Sequence, residues 1–142
     1  MTVTGPPSPA APVPKGSWRP RPGDFVTVAE AVCGGKADDF GSSWSRAAAF
    51  LTRRALEDAV DGIYTGPLLG VRECPTSTKL LCLPRYLGDA ELAREVHATW
   101  AQLSTACHAH PYELDPTLAE LQRWIGVVKR LVSFAGAGAG AV

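Results

Sequence analysis

Three stretches of this chain repeat their apolar residues at intervals of three and four, and that spacing restricts the possible folds more than any other feature. In "SSWSRAAAFLTRRALEDAVDGIYTG" the row Trp44, Ala47, Leu51, Ala55, Ala59 and Ile63 follows one side of a helix, while Arg46, Arg53, Glu57 and Asp61 lie largely elsewhere. Leu92, Val96, Trp100, Leu103 and Cys107 make a second row, and Leu118, Leu121, Ile125, Val128 and Val132 a third. A helix that is apolar on one side has to bury that side. No strand-like alternation rivals these rows, so the helices have only each other to pack against, which predicts an all-α bundle of four to five helices.

Local signals place the helix ends. Ser42 or Ser43 can cap the first long helix, with Gly66 just past its end, and Asp89 can cap the second. Asp115 reads as the N-cap of the last, with Pro116 in its first turn, and Lys129 and Arg130 suit its C-terminal dipole. "RECPTSTKLLCLPRYLGD" predicts a short apolar helix from about Ser77, broken or kinked at Pro84. Asp24 to Val32 fits either a short helix or a strand, the helix being the milder reading.

Seven of the 12 prolines fall within the first 22 residues and remove backbone donors there, so residues 1–22 are expected to form a disordered Pro-rich tail. Lys15, Arg19 and Arg21 precede the first acid, Asp24. Residues 135–142, "AGAGAGAV", carry too little side chain to order themselves and read as a second disordered tail. Residues 23–134 remain as a single helical domain.

Charge excludes some partners. The formal net charge is zero, so nothing in the overall balance advertises a long nucleic acid. The N-terminus lacks the apolar run of a signal peptide and no window is long and apolar enough for a bilayer span, so a cytoplasmic protein without membrane contact is expected. Cys33, Cys74, Cys82 and Cys107 show none of the paired spacing of tetrahedral zinc sites. No metal or other cofactor is expected.

The stretch most charged with chemistry is "CHAHPYELDPTLAEL", from Cys107 to Leu121. Of Cys107, His108 and His110, only Cys107 and His110 share a helical face, too little for a metal centre or for a cysteine nucleophile with its base. The bland reading is that both histidines sit at a helix C-terminus and favour its negative dipole end. His108, His110, Tyr112, Glu113 and Asp115 nevertheless gather at one connection, the best candidate site in the sequence. Arg123 and Trp124 follow on the last helix, where Trp124 lies beside the core row and reads as a boundary residue able to meet a second copy of the chain.

Over roughly residues 96–132, "LSTACHAHPYELDPTLAEL" resembles the segment that ends one helix and starts the next in HEPN domains. The resemblance implies an all-α bundle, commonly dimeric. Active members are metal-independent ribonucleases in which an arginine and a histidine from two subunits act on an RNA phosphodiester. The resemblance puts His110 at the motif histidine, with His108 the other choice. Leu103, Ser104 and Thr105 then stand where His110 would have its arginine, and Ala101, Gln102 and Leu103 where His108 would. The motif is degenerate, and a developing phosphorane dianion needs a fixed cation that none of these side chains supplies.

Three readings follow. The first is a HEPN-like, non-catalytic subunit that binds a protein partner or regulates one, in the toxin–antitoxin or phage-defence setting that the resemblance implies, with Tyr112, Glu113, Arg123 and Trp124 as contact residues. The second is a divergent ribonuclease using His110, with RNA as substrate and an arginine such as Arg53, Arg54 or Arg85 recruited from another helix. The third is an unrelated helical adaptor anchored through Trp18, Trp44 or Trp124.

Overall fold

The computed structural model describes residues 19–35, 41, 43–64, 69–108 and 112–138. Five helices of 12 residues or more account for most of them: α1 (Pro22–Cys33), α2 (Trp44–Ile63), α4 (Thr76–Leu87), α5 (Ala90–Cys107) and α6 (Leu118–Gly138), with a four-residue helix α3 (Leu69–Arg72) between α2 and α4. No strand occurs among the described residues. The chain is an all-α bundle. α2 is its hub, touching α1, α4, α5 and α6, while α1 also packs on α6 and α5 lies against α4 and α6.

The ambiguous segment before Cys33 is a helix. Pro22 occupies its first turn and the Asp24 carboxylate accepts the Arg21 backbone N–H at 2.7 Å, which satisfies one of the donors that a helix start leaves over. Val26, Ala29 and Val32 then face inward at intervals of three.

α2 differs from the sequence reading in its register. Its buried row is Ser45, Ala48, Ala49, Thr52, Ala55, Leu56, Ala59 and Val60, while Trp44, Leu51 and Ile63 pack on the core only from the flank. The polar members of that row disguised it. The Thr52 hydroxyl donates to the Ala48 carbonyl at 2.7 Å, so a buried threonine costs little here. Ser43 is the N-cap of α2 without a side-chain cap bond, and Ser42 and Gly66 lie outside the described residues.

α4 runs through Pro84 without the expected break. A proline inside a helix costs about 3 kcal/mol, since its ring crowds the preceding turn and its missing N–H deserts a carbonyl. Leu83 and Leu87 lie on either side of it and are both buried, and full burial of such a side chain contributes about 1.5–3 kcal/mol each. The last turn is therefore held by packing, and it ends at Gly88 in the left-handed region (φ +69°).

Tyr64 and Lys79 join α2 to α4. The Tyr64 hydroxyl donates to the Lys79 carbonyl at 2.5 Å, its ring meets Tyr86 edge-on, and the Lys79 ammonium bonds the Asp61 carboxylate at 2.6 Å. Burial, with smaller contributions from Cys82 and Tyr86, pushes the Tyr64 phenol up to about 12 from an ordinary value of 10.0. The unfolded chain therefore releases this proton first. The stability tied to Tyr64 is complete below pH 10 and is lost as the pH climbs from there towards 12. Thermal melts across that window are expected to show a steeper alkaline loss for the wild type than for Tyr64→Phe, and equal slopes would show that the phenol is not the group involved.

α5 starts as its sequence indicates, with the Asp89 carboxylate accepting the Leu92 N–H at 3.0 Å. α6 extends to Gly138, past Phe134 where the apolar row stops and into the stretch read as a disordered tail. The start of α1 and the end of α6 lie together. A Cβ placed on Gly23 would stand 3.9 Å from Val132, and Arg21, Pro22, Ala135 and Gly136 line one groove between them. Of the N-terminal tail, residues 1–18 lie outside the described residues, as do residues 139–142.

Candidate functional site

The sequence candidates converge on the connection from α5 to α6. His108 is the first residue after α5, exposed, and its backbone N–H closes the helix on the Ser104 and Thr105 carbonyls at 3.3 and 3.2 Å. His110 lies outside the described residues. Tyr112 and Leu114 are each 97% exposed. Glu113 is exposed beside them.

The start of α6 corrects the expected cap. Thr117, not Asp115, precedes the helix, and its hydroxyl accepts the Glu120 N–H at 3.2 Å while the Glu120 carboxylate accepts the Thr117 N–H at 2.8 Å. This reciprocal box was written in the spacing of Thr117 and Glu120, and the neighbouring Asp-Pro pair overshadowed it. The Thr117 backbone N–H, and then its hydroxyl, hold the Glu120 carboxyl below the ordinary carboxylate value. Asp115 is free for another task and accepts from the Arg46 guanidinium at 2.7 Å, tying the start of α2 to this connection.

Trp124 is not the boundary residue its position suggested. It is 5% exposed, and its indole N–H donates to the Gln102 side-chain oxygen at 2.7 Å. The core row of α6 is wider than the sequence reading made it, with Trp124, Val127 and Leu131 added to Leu121, Ile125 and Val128, whereas Leu118 is 42% exposed. A tryptophan satisfied inside its own chain gives no argument for a second copy. It instead helps to line a groove of about 360 Å³ between α5 and α6, together with Gln102, Thr105, Ala106, Glu113, Leu114, Pro116, Glu120 and Arg123. Of these, Glu113, Arg123 and Trp124 were legible as candidates; the contribution of α5 was not, because it depends on how two helices meet.

A second cluster lies on the other side of the α5 terminus. The Glu57 carboxylate accepts from the Arg53 guanidinium at 2.9 Å and from the Trp100 indole at 3.1 Å, and Arg53 stands 6.0 Å from the Trp100 ring centre. The Cys107 thiol lies beside Arg53. Burial pushes its pKa up, Arg53 works in the opposite direction and Glu57 adds to the rise. A raised thiol pKa lowers the share of thiolate, the nucleophilic form. Arg54 pairs with Asp58 at 3.3 Å. Among the described residues no group of three or more His, Cys, Asp or Glu side chains comes together as a metal site, and no helix is long and apolar enough to cross a membrane.

No protein-family model, curated protein or solved structure matches the chain.

Proposed function

We propose that the chain is a non-catalytic helical module that docks a protein segment at the α5–α6 end of its bundle, a regulatory subunit of the kind that the HEPN resemblance implies. The observation that carries this reading is the near-complete exposure of Leu114, which lines a groove together with Trp124, two residues from the equally exposed Tyr112. Single exposed apolar side chains are ordinary. Two at 97%, with Leu118 close by in sequence and a concave surface beside them, form an anchor site of the sort that interfaces use.

The ribonuclease alternative needs a cation for the phosphorane, and the arginines that α2 sends towards this end are engaged. Arg53 is held by Glu57 and Arg46 by Asp115. The Arg46 pair is exposed and easily broken, but Arg53 also shares Glu57 with an indole N–H, so recruiting it leaves a partly buried carboxylate without its countercharge. General acid/base help from a single histidine contributes only about 10²–10⁴-fold.

Incubation with structured and single-stranded RNA, without added metal, is expected to leave the RNA intact. Fragments ending in cyclic phosphate that vanish with His110→Ala would replace this reading with the divergent ribonuclease. Co-purification from the source cell is expected to retain a protein that Leu114→Asp releases, and identical retention by both forms would count against docking at this groove.

A further inference from the structure

We infer that the segment docked at the α5–α6 groove is a basic stretch of a protein partner, anchored by one large aliphatic side chain, and not a nucleic acid; this rests on the partner-binding reading above. The apolar part of the groove is made by Ala106, Leu114 and Trp124. Its volume of about 360 Å³ falls at the small end of the range of about 300–1,000 Å³ usual for ligand pockets, which suits a side chain and its flanks better than a whole helix.

Charge decides what flanks that anchor. Glu113 and Glu120 line the groove with Arg123, and Asp115 adjoins it with its partner Arg46, so three carboxylates stand against two guanidinium groups. Arg46 answers Asp115 and Arg123 lies near Glu120, which leaves the excess on Glu113, exposed and without a partner among the described residues. Glu120 keeps its charge because its cap bonds are made to the ionised form. The positive end of the α6 dipole is thereby already engaged, while the C-terminal end of α5 brings its negative end beside Ala106. Among the described carboxylates and guanidinium groups the balance is one negative charge, which disfavours a polyanion here. A lysine or arginine next to a buried leucine meets Glu113.

The test is fluorescence anisotropy on the full chain with two labelled synthetic peptides, one carrying leucines flanked by lysines and the other with glutamates replacing the lysines, and with a labelled single-stranded RNA of similar length. The lysine peptide is expected to bind at least about tenfold more tightly than the glutamate peptide, with an affinity that falls as salt rises. Glu113→Lys is expected to erase that preference, and Leu114→Ala to weaken both peptides; thermal melts matching the wild type show that the variants are folded. Equal binding of the two peptides, lost with Leu114→Ala, would overturn the basic partner and keep the docking groove. Failure of both peptides to bind at millimolar concentration, or binding indifferent to both substitutions, would overturn the groove itself. Preferential binding of the RNA would overturn both.

Discussion

Leu56→Ala is expected to destabilise the fold by about 2–5 kcal/mol, the range for truncating a fully buried leucine that leaves a cavity behind. Leu56 is 0% exposed at the middle of α2, the one helix that touches α1, α4, α5 and α6, so its neighbours are anchored on several sides and cannot collapse into the space. For a domain of this size that is a fall of roughly 8–20 °C in Tm. Leu51→Ala is the matched control, since Leu51 belongs to the sequence-read row but packs only from the flank. It is expected to cost about 1 kcal/mol. Calorimetry on the two variants decides the register of α2, and equal losses would mean that the buried row described above is wrong.

Asp61→Ala is expected to cost more than Lys79→Met, by about 2 kcal/mol, although the two substitutions remove the same ion pair. The Lys79 side chain is 7% exposed and that of Asp61 50%, so the partners lose very different amounts of water on folding. Removing the carboxylate strands an ammonium in the interior. Removing the ammonium leaves a carboxylate that water already reaches, and a methionine fills the lysine's channel. The Lys79 carbonyl keeps its bond from Tyr64 in either case. Urea titration should show the midpoint moving with an unchanged slope, and the double variant should recover most of the loss. If Lys79→Met proves as damaging as Asp61→Ala, the buried cation is stabilising in its own right and the asymmetry argument fails.

The existence of α2, α5 and α6 was legible because each repeats apolar residues over more than four turns, and the Asp89 cap was legible because it is a purely local device. What escaped was decided between helices. Ser45 and Thr52 look like solvent-facing residues until the Ala48 carbonyl is seen to satisfy one of them. Pro84 looks like a terminator until Leu83 and Leu87 are seen buried around it. In each case a tertiary gain outweighed a local rule.

The site divides in the same way. Glu113 and Arg123 line the groove and Tyr112 is exposed in the connection before it, a stretch rich in polar and aromatic residues that is readily recognised in the sequence as surface. Trp124 went the other way. Its indole needed one acceptor to become a core residue, and Gln102, a full helix away in sequence, provides it. The pairing of Arg53 with Glu57 is an ordinary (i, i+4) contact, but its meeting with Trp100 and Cys107 is not readable without the packing of α2 on α5.

The meeting of the α1 start with the α6 end separates the order of the helices from the way they pack. The helices begin at Pro22 and end at Gly138, and Arg21 and Pro22 lie beside Ala135 and Gly136 in the last turn of α6. A short tether across that gap would turn the path into a ring, and such a ring could be opened anew at an exposed connection such as Gly88, between α4 and α5. Whatever is fused to either end of the described helices projects from the same pole, at the opposite end of α6 from Tyr112 and Leu114.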